Sequence, residues 1–235
     1  MPRGEEQRSA GIPTAGDAGD LWVFGYGSLI WSPGFPFIES RLARLPGRQR
    51  ALCIYSVRYR GSSERPGLVF GLDFGGTCDG MAFRVAAESS TAVERYLRER
   101  EQVTGVYRSE VRPVTLLGRE PESVRALTFI AHRGHRQYAG RLQLAEEARI
   151  VLGSRGVSGR NLDYVLSTAR HLKELGIRDR HLERLVTLLG GLNQGRASIS
   201  RSKALPLRRA YPHGLTPRLP PDQALRCNHR MNLGM

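Results

Sequence analysis

The sequence is poor in residues that staple a chain, span a bilayer or hold a metal. Its 235 residues include three cysteines, Cys53, Cys78 and Cys227, far apart along the chain. They make neither a disulfide framework nor a metal knuckle, which points to a reducing, cytoplasmic setting. No apolar run is long enough to cross a bilayer, and the opening MPRGEEQRS lacks a signal-peptide core, so no membrane partner is expected. His132 and His135 stand three apart with a glycine between them and no acidic or cysteine neighbour, a weak metal signal. No metal and no cofactor are expected.

Acidic residues are also scarce, 22 Asp and Glu against 36 Lys and Arg, for a net charge of +14. Half of that excess lies after residue 189, where eight Arg or Lys face Asp222 alone. Five prolines there make a poor helix or sheet, so residues 190–235 read as a basic extension. Elsewhere the arginines mix with Glu and Asp as on a solvated surface. No dedicated nucleic-acid partner is expected from this distribution. Residues 1–19 lack periodicity and read as a disordered arm, leaving residues 20–189 as the candidate catalytic domain.

Against these absences stands Trp22-Val-Phe-Gly-Tyr-Gly-Ser-Leu-Ile-Trp31. An apolar strand from Leu21 to Phe24 breaks into Gly25, Tyr26, Gly27 and Ser28, then turns apolar again. Such a turn either connects two strands or aims consecutive N–H groups at a carboxylate or oxyanion. It lacks the residues of two common alternatives. Ile30 stands where a Gly-x-Ser-x-Gly elbow needs glycine, and bulky residues follow where Lys-Ser/Thr would hold phosphate.

Further strand-like pieces cover 51–55, 67–72, 80–86, 111–117 and 124–131, with one helix among them. That pattern suggests a closed or strongly curved sheet in an α+β fold. The helix opens with capping-box spacing at Thr91 and Glu94 and runs to about Gln102, stopping before Gly105. Val93, Tyr96, Leu97 and Arg100 share one stripe, with Glu101 at its margin and Glu99 turned toward water. Glu101 is thus either a buried acid tuned for proton transfer or half of a surface pair with Arg98. Two later helices, one starting near Ser158 and one capped by Asp179, read as a hairpin packed on the sheet. The apolar faces are Leu162, Val165, Leu166, Ala169 and Leu172, then Leu182, Leu185, Val186 and Leu189. His171 is expected in solvent. Neither helix has a second extensive apolar face, and the oligomeric state is not legible.

Five blocks in order resemble the ChaC family of glutathione-specific γ-glutamylcyclotransferases. They are the Val23–Trp31 run, Arg65-Pro-Gly-Leu-Val69, Tyr96-Leu-Arg-Glu-Arg-Glu101 followed by Tyr107, Gln137-Tyr-Ala-Gly140, and Ser158-Gly-Arg-Asn-Leu-Asp-Tyr164. The resemblance implies a γ-glutamylcyclotransferase-like fold, a small mixed β-barrel with flanking helices. It places the catalytic glutamate on Glu101 and the γ-glutamyl-binding loop on Gly25, Tyr26, Gly27 and Ser28. Val23, Phe24 and Leu29 would shape the walls, and Tyr107 and Tyr138 would supply pocket hydroxyls. Gln102 departs from the family's lysine after the glutamate. The implied partner is glutathione, cleaved to 5-oxoproline and cysteinylglycine by attack of its own α-amine. Two alternatives remain at this point: turnover of other γ-glutamyl amines, or a binding module that performs no chemistry.

Overall fold

Leu21–Gly25 forms the first strand, β1, and its central residues Val23 and Phe24 are fully buried. The computed structural model describes residues 19–101 and 105–199, with side chains described to residue 193. Most of the N-terminal arm, Gln102 and the extension beyond 199 with Cys227 lie outside the described residues. Four more strands follow: β2 Glu39–Ser56, β3 Gly67–Val85, β4 Tyr107–Leu116 and β5 Glu122–Ala131. They close a barrel in the order β1-β3-β2-β4-β5, with β5 also meeting β1 and β3 in parallel. The expected mixed barrel is the one observed.

Two strand assignments need correction. The pieces 67–72 and 80–86 are one strand, β3, and 51–55 is only the end of the long β2. Asp73 to Gly76 reads as a turn in isolation. In the fold, Gly75 and Gly76 take φ of 98° and 62° opposite Gly47 at 72°, where the β2–β3 register shifts between Pro46 and Arg48. Both strands bend together there as a bulge, which keeps the ladder running around a barrel corner.

Helix α1, Ala87–Glu101, joins β3 to β4 and starts four residues before the expected Thr91. Its cap comes from elsewhere in the chain. Asp20 Oδ1 accepts the Ala87 N–H at 3.1 Å, while Oδ2 takes Arg84 Nε at 2.6 Å. A side chain 67 positions away leaves no local signal. The inward face is as read: Val93 and Leu97 are buried against Val23, Leu29, Phe83 and Phe129. Burying a leucine to this extent contributes about 1.5–3 kcal/mol, so Leu97 is a firm anchor one turn before Glu101.

A further helix, α2 Leu144–Gly153, was not anticipated, although Leu144, Ala148, Val151 and Leu152 have helical spacing. A two-residue hairpin, β6 Arg155–Gly156 with β7 Gly159–Arg160, leads into α3, Asn161–Glu174. Helix α4, Arg180–Ile199, begins as expected, with Asp179 Oδ1 accepting the Leu182 N–H at 3.0 Å. It runs ten residues past position 189 into the segment read as a poor helix former. Leu182, Leu185 and Leu189 are buried as expected, but Leu166 is 39% exposed, and Asn161, Tyr164 and Thr168 are buried in α3. His171 is not free in solvent: it stacks on Trp31, ring centroids 4.8 Å apart.

One polar clamp joins α2 to α4. His181 Nε2 lies 2.6 Å from Oε2 of the buried Glu147. Its hydrogen bond to Glu147, aided by that carboxylate's charge, raises the His181 pKa above its ordinary value. A raised folded-state pKa adds stability that is complete below the unfolded value of about 6.5 and fades as pH rises through the folded value. The melting-temperature gap between wild type and His181→Gln should be widest below about pH 6.5 and narrow as pH rises above it. A gap independent of pH in thermal melts would leave the clamp without a proton-linked role.

Candidate functional site

The loop after β1 sits where two backbones approach closely. A Cβ on Gly80 would lie 2.3 Å from the Gly25 carbonyl oxygen, so only glycine on β3 lets the end of β1 pass. The chain then closes a short 3₁₀ turn, Ser28–Ile30, in which Gly27 O accepts the Ile30 N–H and Ser28 O the Ser32 N–H, both at 2.9 Å. Tyr26 is buried and donates its hydroxyl to Phe129 O at 2.9 Å. Its own carbonyl accepts Arg50 Nε at 2.6 Å. Among the described residues the N–H groups of Gly27 and Ser28 have no acceptor, although Gly27 is buried. Buried N–H groups are rarely left unpaired, so this pair is poised for an outside acceptor.

Glu101 ends α1 beside this loop, its side chain 17% exposed. Arg100 ties the two together. Its Nη2 donates to Ser28 Oγ at 3.1 Å, its Nη1 to Ser32 O at 2.8 Å, and its Nε lies 3.2 Å from Glu101 Oε1. Burial raises the Glu101 pKa, and the Arg100 charge and hydrogen bond only partly oppose it. The expected surface pair with Arg98 does not form, since Arg98 bonds Glu94 at 2.7 Å. Glu99 is exposed, as the helix phase requires.

Three tyrosines are close enough to feel the charge of the carboxyl. Burial is the main cause that raises the pKa of Tyr26, Tyr107 and Tyr164, the last to about 12; the negative charge of Glu101 adds to it in all three, and for Tyr107 it follows the influence of Tyr26 and Tyr164. Neutral phenols near a carboxyl are hydrogen-bonding walls, not bases. Tyr107 donates to Phe70 O at 2.7 Å, and Tyr164 Oη accepts the Phe70 N–H at 3.3 Å. Tyr164 Oη also lies 3.7 Å from the place a Gly27 Cβ would take. Tyr138 packs with Tyr107 against the cluster of Cys53, Ile54, Val106 and Ala131. Its hydroxyl donates to Asp73 at 3.0 Å, and Arg133 holds the other oxygen of Asp73 at 2.7 Å. Val23 and Leu29 pack beneath α1, while Phe24 faces the other cluster, with Leu68, Phe70 and Leu72.

The sequence from residue 21 to 191 matches the family described as ChaC-like protein. The chain belongs to the ChaC-like family. An Escherichia coli (strain K12) relative named glutathione-specific gamma-glutamylcyclotransferase is 32% identical over 185 residues, 77% of this chain and 79% of that one. A Rattus norvegicus relative, glutathione-specific gamma-glutamylcyclotransferase 1, is 34% identical over 183 residues, 75% of this chain and 82% of that one. The crystal structure of a yeast γ-glutamyl cyclotransferase specific to glutathione superposes with a TM-score of 0.68 at 20% identity, covering 74% and 96% of the two chains. That likeness establishes the shared fold.

For a ChaC-like chain, the separated blocks now have physical reasons. Asn161, from the last block, is fully buried and grips Leu68 from the second, accepting its N–H and donating to its carbonyl, both at 2.7 Å. Arg50, Arg100, Asn161 and Tyr164 were not singled out by sequence reasoning. Arg100 carried a signal, since it lies on the inward stripe of α1. Arg50 carried none in so basic a chain. His132 and His135 have ring centroids 6.2 Å apart, and His132 Nε2 faces Arg108 at 2.6 Å. Among the described residues no group of three or more His, Cys, Asp or Glu is placed to hold a metal. A groove of about 460 Å³ between α3 and α4 is lined by Leu172, Ile177, Leu182 and Val186, and none of Gly25, Tyr26, Gly27 and Ser28 borders it.

Proposed function

We propose that this protein is a glutathione-specific γ-glutamylcyclotransferase, with Glu101 as its general acid and base. The observation that carries the reading is the largely buried carboxyl of Glu101, its pKa raised by that burial, linked through Arg100 to a loop whose Gly27 and Ser28 N–H groups have no acceptor among the described residues. The family and the names of its relatives narrow the substrate to glutathione.

The chemistry needs few groups. Glu101 takes a proton from the substrate's α-ammonium, and the freed amine attacks the γ-carbonyl carbon. A C–N bond closes the five-membered ring as charge moves onto the carbonyl oxygen. Glu101 then gives that proton to the cysteinyl nitrogen, the carbonyl re-forms and the old C–N bond breaks. The freed carboxylate takes the second proton from the ring nitrogen and passes it to the departing amine, so neutral lactam 5-oxoproline and the ammonium form of cysteinylglycine separate. The Gly27 and Ser28 N–H groups receive a substrate anion, either the α-carboxylate or the developing oxyanion. Folding the substrate so that amine and carbonyl meet supplies a large part of the acceleration, as in other intramolecular closures. Gly25, Tyr26, Val23, Phe24 and Leu29 shape and support the loop, Tyr107 walls the pocket, and Tyr138 acts from the Asp73 side. The catalytic unit is residues 20–189, with 190–235 an appendage. A reducing, cytoplasmic setting suits the buried thiols of Cys53 and Cys78, which burial pushes to about 12 and 11.

Purified protein given reduced glutathione should release 5-oxoproline and cysteinylglycine in equal amounts, followed by mass spectrometry. Release from other γ-glutamyl amines with none from glutathione would replace the substrate. No release from any of them would leave a binding module.

A further inference from the structure

We infer that Arg50 is a positioning residue that sets the plane of the Tyr26–Gly27 peptide and so aims the Gly27 N–H into the pocket. The inference rests on the reading above that this loop receives a substrate anion. Arg50 stands on β2, and its side chain is 3% exposed. All three of its nitrogens are engaged. Nε donates to Tyr26 O at 2.6 Å, Nη2 to Asp79 O at 2.5 Å, and Nη1 to Asp179 Oδ2 at 3.0 Å.

Two of those acceptors are backbone carbonyls that flank the loop. Asp79 precedes Gly80, the glycine against which the Gly25 carbonyl rests. One guanidinium therefore joins the end of β1 to its neighbour on β3 from below. The peptide is trans, so its carbonyl and its N–H point in opposite directions. With the Tyr26 carbonyl fixed on Arg50, the Gly27 N–H must point away from Arg50. It has no acceptor among the described residues, and the side of Gly27 that lacks a Cβ faces Tyr164 Oη.

The placement is costly if its only purpose is stability. A buried charge tolerates loss of its partner badly, yet apolar side chains of similar volume commonly fill such a place as well. What an apolar side chain lacks is a donor for the Tyr26 carbonyl. Lysine also falls short, because one ammonium on a flexible stem does not reproduce the fixed fork that reaches three acceptors.

The test compares Arg50→Met and Arg50→Lys with Leu185→Ala. The last empties a fully buried apolar site in α4 that makes no hydrogen bond to Arg50 or the loop, and it calibrates loss of stability. Rates are taken where thermal melts show each variant folded. Removing one oriented N–H donor commonly costs about 10²–10³ in rate, and misaiming one should approach that. Arg50→Met should lose about 100-fold in kcat/KM and Arg50→Lys about 30-fold, while Leu185→Ala stays within about 3-fold. If Arg50→Met does not fold, Arg50→Lys decides. The Gly27 amide resonance of ¹⁵N-labelled protein should move in both Arg50 variants and stay in Leu185→Ala. Folded Arg50 variants with near-normal kcat/KM, or a loss matched by Leu185→Ala, would overturn the role. A wild type without turnover would instead sink the cyclotransferase reading. The amide resonance then decides the role of Arg50 by itself: an unmoved Gly27 signal in Arg50→Lys rejects it.

Discussion

Glu101→Gln should give a folded protein that has lost about 10²–10⁴ of its turnover, the usual span for removal of a general acid or base. Glutamine keeps the shape of the side chain and its contact with Arg100 but neither takes nor returns a proton. Binding of glutathione should persist, because the loop N–H groups are untouched. Glu99→Gln is the internal control, since Glu99 is exposed two positions earlier on the same helix. It should be nearly silent in steady-state kinetics, and a comparable loss there would mean that the wrong acid has been assigned.

The same substitution has a thermodynamic signature of opposite sign. Burial raises the Glu101 pKa, so the folded state holds this proton more tightly than the unfolded chain. Stability is then lost as pH rises from the unfolded value, about 4.3, through the folded one, and the cost is complete above it. Glu101→Gln removes that cost and should melt at or above the wild-type temperature at neutral pH, while catalysis collapses. A substitution that stabilises the fold and removes activity is the expected pattern where a site holds a group against its solvation preference. The acid limb of wild-type kcat/KM should accordingly lie above that of an exposed carboxylate.

Much of this arrangement was legible because its causes are local. The apolar run before Gly25 gave β1, the period-3.6 stripe gave the inward face of α1, and Asp179 announced α4. What escaped was non-local. The start of α1 is set by Asp20, and the continuity of β3 depends on Gly47 of its partner strand. His171 looked solvent-facing beside Lys173 and Glu174, and only the fold brings Trp31 onto its ring. Helix α2 had a readable pattern in under three turns, too short to stand out from its surroundings. For the candidate site, the loop and Glu101 were marked by residue types in a fixed order. The arginines that brace them belong to the commonest charged type in the chain, so their role is visible only in what they touch.

Asn161→Ala should be among the most damaging single changes outside the reacting groups. Leu68, at the start of β3, is fully buried, and the Asn161 amide serves it as a substitute strand partner. Alanine leaves both the N–H and the carbonyl of Leu68 without a partner. Each buried polar group so orphaned costs about 1–3 kcal/mol, so a loss of roughly 2–5 kcal/mol is expected. That is a large share of a typical net stability of about 5–15 kcal/mol. Chemical denaturation should show it as a fall in midpoint at constant slope, with Leu166→Ala, on the exposed side of the same helix, as a mild comparison. The damage should reach the site as well. Two residues on, Phe70 meets Tyr107 through its carbonyl and Tyr164 through its N–H, so a loosened β3 start displaces both phenols, which feel the Glu101 charge. A shift below about 1 kcal/mol would mean that water or a neighbouring group satisfies Leu68 in the variant, and that the α3 block does not hold β3 in place.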